Sequence, residues 1–433
     1  MRIPLKISLS AATQAAFFFS LPLTGLSLIR TENVVRAFAP SLFLSLPFLV
    51  CNAWRPEVYR SPALRALAIP CLALGLAGLL SIVLNMISPA AVLVHTPDMV
   101  IQEPAAGLSL LDRYFRLLYT LVVVGVTAAI VTRDDASVRR FCHCFIAGYS
   151  LGAAFGFGQF LADLAHLPFW TPFGGASWML SGQTTDFGIR RINGGAPEPS
   201  HWAPFTLMAI AFLFVSARGP FSRRRWAALG LAVFNLVFTL SGSAIAGLAG
   251  ILIGLALYRA TRLITFRIRI SHIVALVGLP ILVGIFVLLV SRLEVFNAYF
   301  GEGLLKKISG QNESGAVRLY ILVLTWLAFL EHPLYGVGVG TIASFNTFLT
   351  LMGSGGLFLF LPYAYLVAVG GWRTLAAYRR TPSRPNLGWY MLYWSMLFVT
   401  SLSYGEIFSF FSWLWIGLSY VRKPEPIPER PRP

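Results

Sequence analysis

Residues 66–87 read ALAIPCLALGLAGLLSIVLNMI, a run of 22 residues that contains no charged side chain. A helix rises about 1.5 Å per residue, so a run of this length matches the roughly 30 Å hydrocarbon core of a bilayer. Similar runs recur along the whole chain of 433 residues, of which 57% are hydrophobic and 12% are charged. A soluble domain carries about 25% charged residues, so this composition predicts an integral membrane protein surrounded by a lipid bilayer.

Twelve apolar windows predict about twelve transmembrane helices in an all-α polytopic membrane protein, with residues 1–433 forming a single membrane domain. The uncharged stretch from Trp226 to Tyr258 is too long for one comfortable crossing. Ser241-Gly242-Ser243 in its middle predicts a tight turn between two short spans. The twelve windows are 8–29, 37–53, 66–87, 114–132, 141–165, 202–217, 226–240, 242–258, 271–290, 345–369, 387–404 and 406–421.

The basic residues fall in short clusters between apolar runs, and more acidic loops alternate with these clusters. The clusters hold 24 of the 34 Lys and Arg residues but only 5 of the 17 acidic residues. Membrane proteins keep basic loops on the cytoplasmic side, so the alternation predicts that both termini are cytoplasmic. This placement also excludes a nucleic-acid partner, which the net charge of +17 alone would suggest. The Pro/Arg/Glu-rich tail at 423–433 is predicted to be disordered.

Two long loops on the opposite side, 166–201 and 291–344, are the predicted location of function. The second contains an apolar segment, Leu319 to Leu330, whose twelve residues reach about 18 Å as a helix, too short to cross the hydrocarbon core. Arg318 and Glu331 bracket this segment. We therefore expect an interfacial or re-entrant helix that lies against the outer leaflet.

The first of these loops ends in a group of residues that could carry chemistry. Arg190 and Arg191 precede a glycine turn, and Glu198 stands between two prolines, three residues before His201. The prolines restrict the backbone of Glu198, so its carboxylate is presented at a helix entrance. The same pattern also fits a structural role, in which Ser200 or Glu198 caps the following helix or Glu198 pairs with an arginine.

Five short motifs occur in order on the external side, between about residues 190 and 370. They are Arg191-x-x-Gly194 followed by Glu198-Pro-Ser, Thr239-Leu-Ser-Gly-Ser, Arg318-x₇-Trp326, His332-Pro-Leu-Tyr-Gly-Val-Gly-Val-Gly, and Asn346 followed by Gly353 to Gly356. The order and sidedness of these motifs resemble the bacterial O-antigen polymerase/O-antigen ligase superfamily.

The resemblance implies a glycosyltransferase of the GT-C type architecture with large periplasmic loops, located in the bacterial inner membrane. Such an enzyme transfers an oligosaccharide from undecaprenyl pyrophosphate to another lipid-linked repeat in the polymerase branch, or to lipid A–core in the ligase branch. By motif, Arg191 and Arg318 match the paired external arginines regarded as essential. The ligases have a histidine immediately before the last Asn, whereas Phe345 stands here. This difference favours a polymerase of O-antigen or exopolysaccharide, with a chain-length regulator as a further partner.

The chemistry of this transfer suggests roles for the candidate residues. A departing pyrophosphate needs positive charge, and Arg191 and Arg318 offer fixed bidentate donors to it. The incoming sugar hydroxyl must lose a proton, for which Glu198 and His201 are the candidate groups. The external loops contain no Asp-x-Asp pair, so no metal and no cofactor are expected. The predicted substrate-binding residues are Arg190, His332, Tyr335 and Asn346, and His332 is also a substitute base.

Other functions stay open at this point. An O-antigen ligase or a protein O-oligosaccharyltransferase of the same superfamily would use similar motifs. A transporter of lipid-linked sugars is the alternative that is not an enzyme. Transporters place functional charges at mid-membrane and show paired halves, whereas here most charges lie at the ends of spans and no halves match. Arg318 also has a simpler interpretation as an anchor among lipid headgroups.

Overall fold

The computed structural model of the protein describes residues 8–24, 40–87, 108–167, 191–196, 198–217, 219–263, 313–342, 344–403, 405 and 407–420. These residues form thirteen α-helices and no β-strand. The helices are α1 (Leu9–Ser20), α2 (Pro40–Asn52), α3 (Pro56–Tyr59), α4 (Pro62–Ile87), α5 (Leu108–Val131), α6 (Asp135–Leu164), α7 (Pro199–Val215), α8 (Arg223–Phe238), α9 (Gly242–Leu263), α10 (Glu313–Glu331), α11 (Thr347–Arg380), α12 (Arg384–Leu402) and α13 (Phe410–Ser419).

The helices confirm the all-α membrane architecture. Eleven of the twelve predicted windows coincide with a described helix, and the window 271–290 lies outside the described residues. Five helices, α4, α5, α6, α9 and α11, are long and apolar enough to cross a membrane by themselves. The segment from Leu319 to Leu330 is helical, as predicted, and forms most of α10. The predicted disordered tail at 423–433 also lies outside the described residues.

Helix α7 lies at the centre of the bundle. It is buried on all sides, as expected for a helix that is apolar around its whole circumference. Helices α6, α8, α9 and α12 pack around it. Trp202 on α7 stacks on Tyr149 of α6 with ring centroids 5.0 Å apart, and Phe212 packs edge-on against Phe145. The first turn of α7, which carries candidate site residues, is therefore held by a helix that is buried along most of its length.

The ends of the helices separate into two faces. On one face, here called the basic face, Arg133 at the end of α5 pairs with Glu57 of α3 at 2.9 Å. At the loop between α7 and α8, Arg225 donates to the carbonyl oxygen of Ser216 at 3.0 Å, and Arg384 at the start of α12 donates to that of Gly219. The ends without these clusters meet on the other side of the bundle, here called the opposite face.

The stretch from Trp226 to Tyr258 forms two helices, as predicted. Helix α8 ends at Phe238 and α9 begins at Gly242. Leu240, in the turn between them, has a φ of 44°. Few residues other than glycine adopt a positive φ, so the backbone at Leu240 is strained and the chain turns sharply there.

Helix α11 differs from the single window predicted for it. It continues to Arg380 and is broken at Gly356, where φ is 60° and ψ is −157°. This conformation is essentially restricted to glycine. The glycine-rich segment 332–340 fills the break, because the amides of Leu357 and Phe358 donate to the carbonyls of Pro333 and Leu334 at 2.8 and 3.1 Å. Hydrophobicity alone did not reveal the break, since both halves of the helix are apolar.

Polar side chains of α4 hold the glycine-rich segment against this break. Ser81 donates to the carbonyl of Tyr335 at 2.6 Å, and Asn85 donates to that of Gly336 at 3.2 Å. Arg113 on α5 donates to the carbonyl of Gly340 at 2.6 Å. These three side chains satisfy backbone carbonyls of the glycine-rich segment that lie outside regular helix.

Candidate functional site

The segment 191–196 is fixed to the opposite face by one buried glutamine. The Oε1 of Gln159 on α6 accepts from the amides of Asn193 and Gly194 at 3.1 and 3.2 Å, and its Nε2 donates to the side-chain oxygen of Asn193. Gly194 has a φ of 52°, and a Cβ there would lie 2.3 Å from the Trp202 ring. Glycine is therefore required at this close approach between a turn and α7.

A second buried amide, Asn235 on α8, completes this support. Its Oδ1 accepts from the indole nitrogen of Trp202 at 3.0 Å, and its Nδ2 donates to the carbonyl of Ala153 at 3.2 Å. Asn235 and Gln159 are almost fully buried. Sequence reasoning missed both residues. A single Asn or Gln in an apolar stretch of helix is the signal that identifies such buried, hydrogen-bonded positions. A membrane-spanning helix tolerates a polar side chain only where that side chain has a hydrogen-bond partner.

Arg191 is held at the turn between α8 and α9. Its Nε donates to the carbonyl of Thr239 at 3.0 Å, and the neighbouring amide of Ile192 donates to the carbonyl of Phe238 at 3.1 Å. The first and second motifs of the sequence are thus in direct contact. Arg191 is half-buried. Arg190, predicted to bind substrate, lies outside the described residues.

Glu198 occupies the N-cap position of α7, but its carboxylate makes no capping hydrogen bond there. Instead the carboxylate accepts from the hydroxyl of Ser200 at 2.9 Å. The prediction that Ser200 caps the helix is wrong, because α7 begins at Pro199, which has no amide hydrogen to satisfy, and Ser200 lies inside its first turn. Glu198 and His201 are both half-buried at the entrance of α7. The carboxylate of Glu198 is therefore hydrogen-bonded to Ser200 and does not bond to the backbone amides at the start of α7.

Arg318 lies near the start of α10, and its guanidinium carbon stands 4.4 Å from the centre of the Phe345 ring. Within the described part of the chain this guanidinium has no hydrogen-bond acceptor and no ion-pair partner within 4.0 Å. Burial lowers the pKa of Arg318, and the negative charge of Glu198 opposes that shift. The negative charge of Glu198 thus acts on the pKa of a half-buried guanidinium that lies 120 positions later in the sequence.

The remaining predicted residues have local roles in the described structure. His332 Nδ1 and the Tyr335 hydroxyl are 3.2 Å apart within the glycine-rich segment, and neither is hydrogen-bonded to Arg191, Glu198 or Arg318 in the described chain. Asn346 begins α11, where its Oδ1 accepts from the amide of Leu349 at 3.1 Å. The His332–Tyr335 pair is therefore a separate feature, which follows the end of α10 in the chain.

The arrangement combines a guanidinium, Arg318, which can bind an anion, with a carboxylate, Glu198, which can accept a proton. The guanidinium of Arg318 is accessible on the opposite face and is partly withdrawn from water, which strengthens its attraction for a phosphate. Among the described residues, no three His, Cys, Asp or Glu side chains cluster as a metal site would require. Arg318, Glu198 and Phe345 form what we here call the arginine site.

Comparison with known proteins gives no assignment. No family model matches the chain, and no curated protein is significantly similar to it. The arginine site must therefore be interpreted from its own chemistry.

Proposed function

We propose that this protein is a glycosyltransferase of the bacterial inner membrane that polymerises undecaprenyl-pyrophosphate-linked oligosaccharide repeats at the periplasmic face. The observation that carries the proposal is the half-buried guanidinium of Arg318, which has no acceptor in the described chain and whose pKa is lowered by burial and raised by the charge of Glu198. A site with an unengaged cation and a carboxylate fits a phosphorylated donor and a hydroxyl acceptor.

In this proposal Arg318 stabilises the departing pyrophosphate. A charge-assisted hydrogen bond contributes about 1.5–3 kcal/mol, and more where water is excluded. Arg191 would contribute a second positive charge from the neighbouring turn, where its Nε is bonded to the carbonyl of Thr239. Lipid-linked pyrophosphate is already a good leaving group, so stabilising the charge matters more than donating a proton to it.

Glu198 is the favoured base for the acceptor hydroxyl. Its carboxylate is fixed by Ser200 and makes no capping bond, so it can accept a proton from a bound sugar. His201 lies within the same first turn of α7 and would orient the acceptor. The base is tested by Glu198→Gln, which keeps the size and the contact with Ser200. We expect this variant to express normally and to leave single repeats on the lipid carrier. Normal polymer from both Glu198→Gln and His201→Gln would redirect the search to His332.

The alternative of transport is not favoured by the broken helix. Transporters use the free amides at the break of a discontinuous helix to bind an anionic substrate. Here the amides after Gly356 are already bonded to the carbonyls of Pro333 and Leu334. The break in α11 therefore offers no vacant anion site.

The proposal is tested by complementing a strain that lacks the gene. Arg318→Ala and Arg191→Ala are each expected to abolish long polysaccharide at normal protein level. Lys at either position should restore only part of the activity, because it supplies charge without the planar pair of donors. The matched control is Arg225→Ala, which removes a half-buried arginine from the basic face and should leave the polymer intact. Full polymer from Arg318→Ala would refute the proposal.

The product separates a polymerase from a ligase. Loss of a polymerase leaves single repeats on the carrier and on lipid A–core, whereas loss of a ligase leaves long polymer on the carrier. A chain-length regulator would alter the distribution of lengths and not the presence of polymer. Electrophoresis of both lipid fractions distinguishes these outcomes.

A further inference from the structure

In the described structure the guanidinium of Arg318 contacts the ring of Phe345 and has no hydrogen-bond or ion-pair partner. The guanidinium carbon lies 4.4 Å from the ring centre, well within the distance at which an aromatic face attracts a cation. Both residues are half-buried. The ring attracts the cation through its face and accepts no N–H hydrogen bond of ordinary strength, so the donors of the guanidinium are left for a ligand.

The backbone on both sides of Phe345 is firmly held. The amide of Ser344 donates to the hydroxyl of Thr350 at 3.0 Å, and the hydroxyl of Ser344 donates to the carbonyl of Asn346 at 2.8 Å. Asn346 in turn caps α11 through the amide of Leu349. The ring therefore projects from a fixed point, whereas Arg318 reaches it through a long and flexible side chain.

Glu198 is the carboxylate whose charge acts on this guanidinium. The carboxylate is near enough for its charge to act on Arg318, yet the two form no ion pair within 4.0 Å in the described chain. An ion pair would occupy the donors of the arginine and neutralise the carboxylate at once. The stack on Phe345 opposes this collapse.

We propose that Phe345 is a positioning residue that holds the guanidinium of Arg318 flat and unpaired, so that its donors bind the pyrophosphate of the lipid-linked donor. The inference rests on the proposed function and adds a determinant of donor affinity to it. An aromatic side chain is required at position 345, whereas an aliphatic one of similar size is not sufficient.

The test measures binding of undecaprenyl pyrophosphate to the full-length protein in nanodiscs. Phe345→Leu and Phe345→Met should weaken binding about 2- to 30-fold, the range that corresponds to a partly desolvated cation–π contact. Phe345→Tyr and Phe345→Trp should bind as the wild type does. The matched control is Phe348→Leu, because Phe348 is half-buried on the same turn but packs on Phe360 and Tyr363 instead of a cation.

The outcomes separate the two proposals. If Arg318→Ala binds undecaprenyl pyrophosphate as tightly as the wild type, the proposed function fails. If Arg318→Ala loses binding while Phe345→Leu and Phe345→Met retain it, the positioning role fails and the proposed function stands. Equal loss in the Tyr, Trp, Leu and Met variants would also overturn the positioning role, because it would mean that position 345 requires phenylalanine for packing alone. If Phe345→Leu does not fold, the affinities of Phe345→Met and Phe345→Tyr for undecaprenyl pyrophosphate are compared instead, and the positioning role predicts weaker binding only in Phe345→Met.

Discussion

Replacing Gln159 by Leu should release the segment 191–196 from the bundle while the helices stay folded. The substitution keeps the volume but leaves the buried amides of Asn193 and Gly194 without their acceptor. Each buried polar group left unpaired costs about 1–3 kcal/mol, so the two amides together cost about 2–6 kcal/mol. That penalty is avoided if the segment opens locally to water, and local opening is therefore the expected response.

Limited proteolysis measures this opening. Trypsin cleaves after arginine, and a fragment that begins at Ile192 reports exposure of the bond that follows Arg191. If opening is fast relative to cleavage, a loss of about 2 kcal/mol raises the cleavage rate about 30-fold. Polymer synthesis should fall in parallel, since Arg191 loses its fixed position against Thr239.

Gln14→Leu is the matched control. Gln14 is also a buried glutamine, and its Nε2 donates to Asn52 at 2.7 Å, but it lies on the basic face. The control should lose stability without exposing the bond after Arg191. A wild-type cleavage rate in Gln159→Leu, or an equal rise in Gln14→Leu, would refute the reasoning.

Three further predictions concern the bundle as a whole. Gly356→Ala should lower the melting temperature in detergent. The backbone conformation at position 356 costs any residue with a Cβ about 1–3 kcal/mol, and the added Cβ would lie 2.3 Å from the carbonyl carbon of Leu334. The control Gly158→Ala adds a Cβ in open space on α6 and should raise the melting temperature slightly. The amide of Ser137, and then Arg133, lower the pKa of Asp134 to about 2 from 3.8, so the stability that this carboxylate contributes is present above about pH 4 and is lost as the pH falls towards 2. Asp134→Ala should therefore cost about 1 kcal/mol in denaturant unfolding at pH 7 and less at pH 3. Reporter fusions or cysteine labels should be found on the side of the membrane that the charges predict. A cytoplasmic label at position 311 would contradict both the orientation and the proposed site. The sites predicted outside are Gln183 and Gln311, and those predicted inside are Arg224 and Arg380.

The sequence allowed most of the helices to be predicted because burial in a bilayer demands long apolar runs. The turn between α8 and α9 was also predictable, since a glycine flanked by serines interrupts a stretch too long for one span. The boundaries were less accurate. Helix α11 reaches Arg380, beyond the window that ended at 369, because a helix leaving the membrane can continue with polar residues.

The candidate site was only partly predictable. Arg318 and Glu198 stood out as charges beside apolar segments, but their proximity depends on the packing of α10 on α11 and of α7 within the bundle. Nothing in the local sequence indicates that Phe345 stacks on a residue 27 positions earlier. Gln159 and Asn235 were missed because one amide scarcely changes the average hydrophobicity of a long helix.

The break in α11 has a consequence for biogenesis. When this helix leaves the protein-conducting channel, the amides of Leu357 and Phe358 have no partner within their own helix, and lipid offers them none. Their acceptors, the carbonyls of Pro333 and Leu334, are synthesised about twenty residues earlier. The two hydrogen bonds therefore form only when the glycine-rich segment folds against α11 as a hairpin, and the order of synthesis delivers the acceptors before the donors that need them.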